Sequence, residues 1–233
     1  MALKPTIRFL EKAHSVPATK LRYLEVERKF LPTTSSISLL HTNAGTPPFR
    51  SHRYIGRSRS HDVYFDKGGL LMRAGIYLRQ RNGTWEAKDR LGGNYKNSQF
   101  EEKTDVQEIQ VLARSILDGE RGRRDGLVFD FKAELDPVAE FKTVREEWEV
   151  DGGIKVVLDE ADFGCVVGEV EICESMKREE MQDKVPVLNE RIDGFMKKYE
   201  WAFPRDGEVV GKLEAWFRWK EKNLGLKMEA SLR

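Results

Sequence analysis

The run Tyr23-Leu24-Glu25-Val26-Glu27-Arg28-Lys29-Phe30 decides how this chain folds. In an extended strand successive side chains point to opposite faces, so Glu25, Glu27 and Lys29 share one face and Val26, Arg28 and Phe30 the other. Carboxylates and an ammonium in a row are an unusual surface for a core strand. Such a row can hold a divalent metal through its acids and an anion through its lysine. It can equally be an exposed face tied by cross-strand salt bridges, because charged residues are mostly surface residues. The stretch alone leaves both readings open.

The same alternation recurs along the chain. Arg79 and Arg81 share a face in Leu78-Arg-Gln-Arg81, Glu86 and Lys88 in Trp85-Glu-Ala-Lys88, and Glu169 and Glu171 in Gly168-Glu-Val-Glu171. Thr143, Arg145 and Glu147 alternate likewise, and Lys155, Val157 and Asp159 lie on one side of their strand. Any one pair reads as a solvated sheet face. As a set lining one concave surface, they place acids along one side and cations along the other. Burying that many charges is costly unless ligands or opposite charges satisfy them. A polyphosphate with a divalent metal matches both signs. Carboxylates select hard ions such as Mg²⁺ or Mn²⁺. Arginines grip phosphate oxygens in pairs, and lysines supply point charges.

Composition narrows the alternatives. The chain has 233 residues, 34% charged and 39% hydrophobic, with 40 basic residues against 39 acidic ones. A global basic field for nucleic acid is absent, so an anion site has to be a local concentration of charge. No apolar run approaches the roughly 20 residues of a membrane helix. The cysteines, Cys165 and Cys173, offer neither a disulfide framework nor a Cys-rich zinc site. There is no Gly-x-x-x-x-Gly-Lys-Ser/Thr loop, no Gly-x-Ser-x-Gly elbow and no closely spaced histidine pair. His14, His41, His52 and His61 all fall in expected loop or extension.

The element pattern predicts an α+β domain on a large antiparallel sheet, not alternating βαβ units. After the first strand, residues 31–58 read as loop with one short helical turn at 37–41, because Pro32, Ser35, Asn43, Gly45, Pro47 and Pro48 crowd together. Strands are expected at 63–66, 75–81, 84–88 and 99–103, with Asn82-Gly83 as a hairpin turn. Residues 106–117 form an amphipathic helix through Val106, Ile109, Leu112, Ala113 and Ile116. Strands follow at 139–150, 154–159 and 166–173. A helix over 174–199 is expected to break at Val185-Pro186, and another covers 212–222. The expected division is an N-terminal extension at 1–22, one domain at 23–222 and a tail at 223–233. The start lacks the long apolar core of a secretory signal, so a cytoplasmic protein is expected, and its basic, mildly amphipathic character makes a mitochondrial address the alternative.

These residues resemble the CYTH superfamily, also called triphosphate tunnel metalloenzymes. Glu25-x-Glu27-x-Lys29 is similar to its signature, and further stations follow in family order: Tyr64-Phe-Asp66, Leu78-Arg-Gln-Arg81, Trp85-Glu-Ala-Lys88, Thr143-x-Arg145, Leu158-Asp159 and Gly168-Glu-Val-Glu171. Glu25-Val-Glu-Arg-Lys-Phe30, Asp159-x-Ala-Asp-Phe-Gly164 and Gly211-Lys212-Leu213 look most like the thiamine-triphosphatase branch. The resemblance spans about residues 23–219. It implies a closed or nearly closed antiparallel β-barrel with a polar interior and helices outside. It implies that Glu25, Glu27, Asp159, Glu169 and Glu171 are metal-side carboxylates, with Glu102 as a further interior acid. Lys29, Arg79, Arg81, Lys88, Arg145 and Lys212 would clasp a triphosphate, with Lys29, Arg79 and Arg145 acting in catalysis.

The implied activity is Mg²⁺-dependent hydrolysis of the terminal phosphate of thiamine triphosphate, with Mn²⁺ as a substitute ion. The expected partner is this small molecule alone, with no nucleic acid or membrane, and the expected state is a monomer. One departure bears on the substrate. Animal members of that branch carry a tryptophan two residues before the first arginine of the Arg-x-Arg pair, and this chain carries Tyr77. Tyrosine can also stack on a cationic heterocycle, more weakly, or can simply pack at the strand end. Inorganic triphosphate is the alternative substrate, and a non-catalytic polyphosphate-binding domain the alternative of another class. An adenylyl cyclase of the same superfamily would need a purine pocket that the sequence does not reveal.

Overall fold

The structure is a computed structural model that describes residues 21–94, 96–121, 129–205 and 207–225. The charged strand is β1 (Arg22–Phe30), and the others are β2 (His52–Asp66), β3 (Ile76–Arg81), β4 (Thr84–Gly93), β5 (Asn97–Lys103), β6 (Asp136–Val150), β7 (Ile154–Ala161) and β8 (Val166–Met176). They close into an antiparallel barrel in the order β1-β5-β4-β3-β2-β6-β7-β8. Closure removes every free sheet edge along the paired segments and forces each strand to present one face inward. On β1 that face is Glu25, Glu27 and Lys29. They stand opposite Cys173, Glu171 and Glu169 of β8, while Glu25 and Glu27 oppose Phe100 and Ser98 of β5.

The outward faces are apolar and helices cover them. Among these helices, α5 (Arg178–Lys198) lays Leu188, Ile192 and Phe195 in one cluster with Val26, Phe30, Val156 and Ile172. On the opposite wall α3 (Val106–Arg121) joins Ile109, Ala113 and Leu117 to Leu78 and Ala87. The last helix, α6 (Lys212–Leu224), behaves differently. Its Trp216 and Phe217 pack on Tyr64, Ala139 and Phe141, which lie on inward strand faces, so α6 sits against the inner surface. No helix among the described residues is long and apolar enough to cross a membrane.

Several elements differ from the sequence reading, among them two single-turn helices it did not foresee, α2 (Leu70–Arg73) and α4 (Phe131–Glu134). The expected loop at 31–58 holds α1 (Thr34–Thr42), which Thr33 caps by accepting from the Ser36 amide at 3.1 Å while Ser36 Oγ accepts from the Thr33 amide. The same loop holds the first half of β2, whose His52–His61 run lacks apolar alternation. It is set by its ladder to β6, interrupted by a bulge between Tyr54 and Gly56. Pro186 does not break α5, because residues 182 and 186 both lie on the exposed side, where water satisfies the carbonyl that proline leaves without a donor. The Asn82-Gly83 turn is as expected, with φ of 50° and 85°, the left-handed pair that a two-residue hairpin requires. Of the expected extension and tail, residues 1–20 and 226–233 lie outside the described residues.

Phe30 and Gly168 pair across β1 and β8 immediately beside the inward Lys29 and Glu169. A Cβ built on Gly168 would overlap the edge of the Phe30 ring, and Phe30 is buried in the outer core. We therefore expect Gly168→Ala to overpack this point and destabilise the protein by about 1–3 kcal/mol, read as a lower midpoint in urea. A variant as stable as the parent would show that the wall is not tightly packed here.

Candidate functional site

The inward faces enclose a cavity of about 770 Å³, within the range of roughly 300–1,000 Å³ typical of small-molecule sites. About half of the residues that line it are charged. Lys29, Arg79, Arg81, Lys88, Arg145 and Lys212 all line it, as do Glu25, Glu27, Glu169, Glu171 and Tyr77. The structure thus gathers nearly every residue expected from the alternation into one space. Asp159 is fully buried directly behind this surface.

Each of these cations is held by at least one acid, from the next strand for Arg79, Arg81 and Arg145 and from the same strand for Lys29. Arg145 on β6 donates from two nitrogens to Asp159 on β7, at 2.7 and 2.6 Å, and reaches Glu169 at 3.3 Å. The Lys212 ammonium, at the start of α6, bonds the same Asp159 and lies 3.9 Å from Glu169. Lys29 pairs with Glu27 and lies 3.4 Å from Glu169. Lys88 pairs with Glu25 and reaches Glu102 at 3.4 Å and Glu27 at 3.6 Å. Arg79 donates to Glu86 at 2.7 and 2.9 Å and to the Tyr64 hydroxyl at 3.3 Å. Arg81 forms a two-point pair with Asp62 at 2.7 and 2.8 Å. These pairs fix the cations before any ligand arrives and offset the cost of their burial.

The acids divide into two kinds. Burial alone would raise Asp159 and Glu169. The Lys212 and Arg145 charges hold Asp159 below the usual carboxylate range, and Lys212, Lys29 and Arg145 hold Glu169 well below it. Glu171 goes the other way. Burial, with Glu25 and Glu169 beside it, pushes it up to about 8 although Arg145 pulls against them. Glu27, Glu169 and Glu171 are all buried, and their ligand oxygens lie within 4.8 Å of one another. Clustered buried carboxylates, one of them driven to keep its proton, suit a hard divalent cation. Glu25 groups with Glu171 and Cys173 in the same way. Asp159 is bonded by Arg145 and Lys212, both of which also reach Glu169, and is not among the grouped oxygens.

Asp62, Arg90 and Phe100 are among the residues in or behind this wall that escaped the sequence reading. Asp62, fully buried beneath Arg81, was hidden because the strand was expected to begin at residue 63. The inward alternation Glu86, Lys88 continues to Arg90, two residues past the expected strand end. Phe100 lies opposite Glu25 and Arg90, and Tyr77 meets it edge-on at 5.9 Å. The Arg90 guanidinium lies over the Tyr77 ring, 5.3 Å from its centroid.

The CYTH domain family model matches residues 24–197. A curated relative, the thiamine-triphosphatase of Macaca fascicularis, is 35% identical over 187 residues, covering 72% of this chain and 74% of its own. The thiamine-triphosphatase of Homo sapiens is 34% identical with the same coverage. A solved structure, the PH1819 protein from Pyrococcus horikoshii OT3, has the same fold. Its TM-score is 0.53 at 17% identity, over 83% of this chain and 98% of that one.

Glu171 predicts how the metal-free protein responds to pH. Its folded value near 8 lies above the 4.5 of an ordinary glutamate. Between those values the folded state keeps a proton that the unfolded state has released, so stability falls as pH rises through this window. Melting in EDTA should show that fall, and Glu171→Gln should flatten it. An unchanged slope in the variant would remove Glu171 as its source.

Proposed function

This chain belongs to the CYTH domain family, and on that premise we propose that it is a Mg²⁺-dependent hydrolase of the terminal phosphoanhydride of a triphosphate. One observation carries the reading: pre-oriented cations and a cluster of buried carboxylates interleave on the wall of one cavity. A binding domain needs only the cations. The acids have a purpose when a divalent ion is bound with the phosphates.

Lys29, Arg79, Arg81, Lys88, Arg145 and Lys212 clasp the phosphate oxygens, exchanging part of their carboxylate contacts for the ligand. Asp159 keeps Arg145 and Lys212 aimed, and Asp62 and Glu86 do the same for Arg81 and Arg79. Glu27, Glu169 and Glu171, with Glu25 beside them, would hold Mg²⁺ or Mn²⁺, which would supply positive charge to phosphate oxygens. Water adds to the terminal phosphorus and the bridging P–O bond breaks, releasing inorganic phosphate. The buried carboxylates orient the water and accept its proton. Lys29, Arg79 and Arg145 stabilise negative charge as it builds on the terminal and bridging oxygens. Phosphoryl transfer asks for little else, being mainly positioning and charge stabilisation.

The relatives' names support thiamine triphosphate as the substrate. A second reading, inorganic triphosphate, is favoured by the Arg90 guanidinium that already covers Tyr77. In both cases the clasp reads phosphates and only the surrounding wall reads the organic group.

Phosphate release by the purified chain with Mg²⁺ should be rapid from thiamine triphosphate or inorganic triphosphate and slow from ATP. No release from either triphosphate would end this reading. Glu27→Gln should abolish Mg²⁺-dependent turnover while melting remains cooperative. Arg79→Ala and Arg145→Ala should each slow every triphosphate tested by roughly tenfold or more, since a charge-assisted contact contributes about 1.5–3 kcal/mol. A loss confined to one substrate would move that arginine away from the phosphates.

A further inference from the structure

Arg90 and Lys88 lie on the inward face of β4, and both are carried by aromatic rings. The Arg90 guanidinium is 5.3 Å from the Tyr77 centroid and 5.8 Å from that of Phe100. The Lys88 ammonium is 5.2 Å from the Phe100 centroid. The rings themselves meet at 89°, edge to face. All of these residues line the cavity. The aromatic surface of this wall is therefore already occupied by the protein's own cations.

That occupation treats the two candidate substrates oppositely. A thiazolium ring is drawn to an aromatic face by the same quadrupole that holds Arg90. To reach Tyr77 it must displace the guanidinium or lie against a like charge. An inorganic phosphate chain meets no such conflict. It finds a flat, permanently charged fork whose paired N–H donors match phosphate oxygens.

We propose that Arg90 is a specificity-determining residue: seated on Tyr77 and Phe100, it grips an anionic phosphate chain and holds off a cationic aromatic ester. The proposal rests on the triphosphatase reading and makes inorganic triphosphate the better substrate of the two. Tyr77 then serves as a seat for a protein cation and not as a platform for thiamine.

The test is kcat/KM on inorganic triphosphate and on thiamine triphosphate for the full chain and for Arg90→Gln. The wild type should favour inorganic triphosphate. In Arg90→Gln the KM for inorganic triphosphate should rise and its kcat/KM fall roughly tenfold, while kcat/KM on thiamine triphosphate rises. Arg90→Lys, which keeps the charge without the flat fork, should lie between them. It also stands in if the glutamine variant melts poorly. Equal losses on both substrates, or an unchanged ratio, would overturn the proposal. Calorimetric titration of each triphosphate into metal-free protein separates the two failures. If the wild type hydrolyses neither compound, the triphosphatase reading fails. Selective weakening of inorganic triphosphate binding in Arg90→Gln would still uphold the role of Arg90, and equal weakening would end it.

Discussion

The constraint on which this structure depends is the burial of charge inside a closed sheet. A closed barrel has an inner face on every strand, and in a small barrel that face is ordinarily filled with apolar side chains. Here Glu25, Glu27, Lys29, Arg79, Lys88, Arg145, Glu169 and Glu171 occupy it. Isolated, any of these charges would be too costly to bury. They are tolerated because each cation has a carboxylate partner, as Arg145 has Asp159 on the next strand and Lys88 has Glu25 two strands away. The apolar core is displaced outward, where α3 and α5 cover the outer faces. The fold is thus turned inside out relative to a globular domain, and the helices supply the stability that the interior does not.

How much of this was legible in the sequence follows from what carried the signal. Period-two alternation of charge is a local pattern, and it located β1, β3, β8 and the middle of β4 together with their inward residues. Where the pattern faded, the reading failed. The first half of β2 has exposed arginines, serines and a bulge in place of alternation, and only its long ladder to β6 defines it. Asp62 was lost with it. Arg90 was lost because Arg90-Leu-Gly-Gly93 resembles a turn, although β4 continues to Gly93. The role of Asp159 was beyond any local pattern. It depends on Arg145 and Lys212, the latter 53 residues away, and sequence spacing does not announce a shared partner.

Lys212 shows what the last helix contributes. The first turn of α6 lines the cavity while Trp216 and Phe217 anchor the helix on Tyr64 and Phe141. Gly211 lies close enough to Lys29 that an added Cβ would sit 3.2 Å from its Cε. A side chain there would press on the lysine of the defining strand. Lys29 and Lys212, from the two ends of the domain, are thereby brought against the same acid, Glu169, at 3.4 and 3.9 Å. The site is completed only when α6 docks, so packing at Trp216 and Phe217 bears directly on its electrostatics.

The balance of charge also says why metal and phosphate should bind together. The inward cations already have carboxylate partners, so the cavity is not a simple cationic well awaiting an anion. A triphosphate entering it must share Arg145 and Lys212 with Asp159, and Lys29 with Glu27 and Glu169. Its added negative charge would also stand near Glu171, which already holds its proton against crowding by Glu25 and Glu169. A divalent cation among Glu27, Glu169 and Glu171 relieves both conflicts, neutralising the acids and freeing the cations for phosphate. Each ligand therefore lowers the electrostatic cost of the other. Linkage requires that help to be reciprocal in binding free energy. On the proposed function the acids would do more than hold a metal: they would make the phosphate clasp dependent on it.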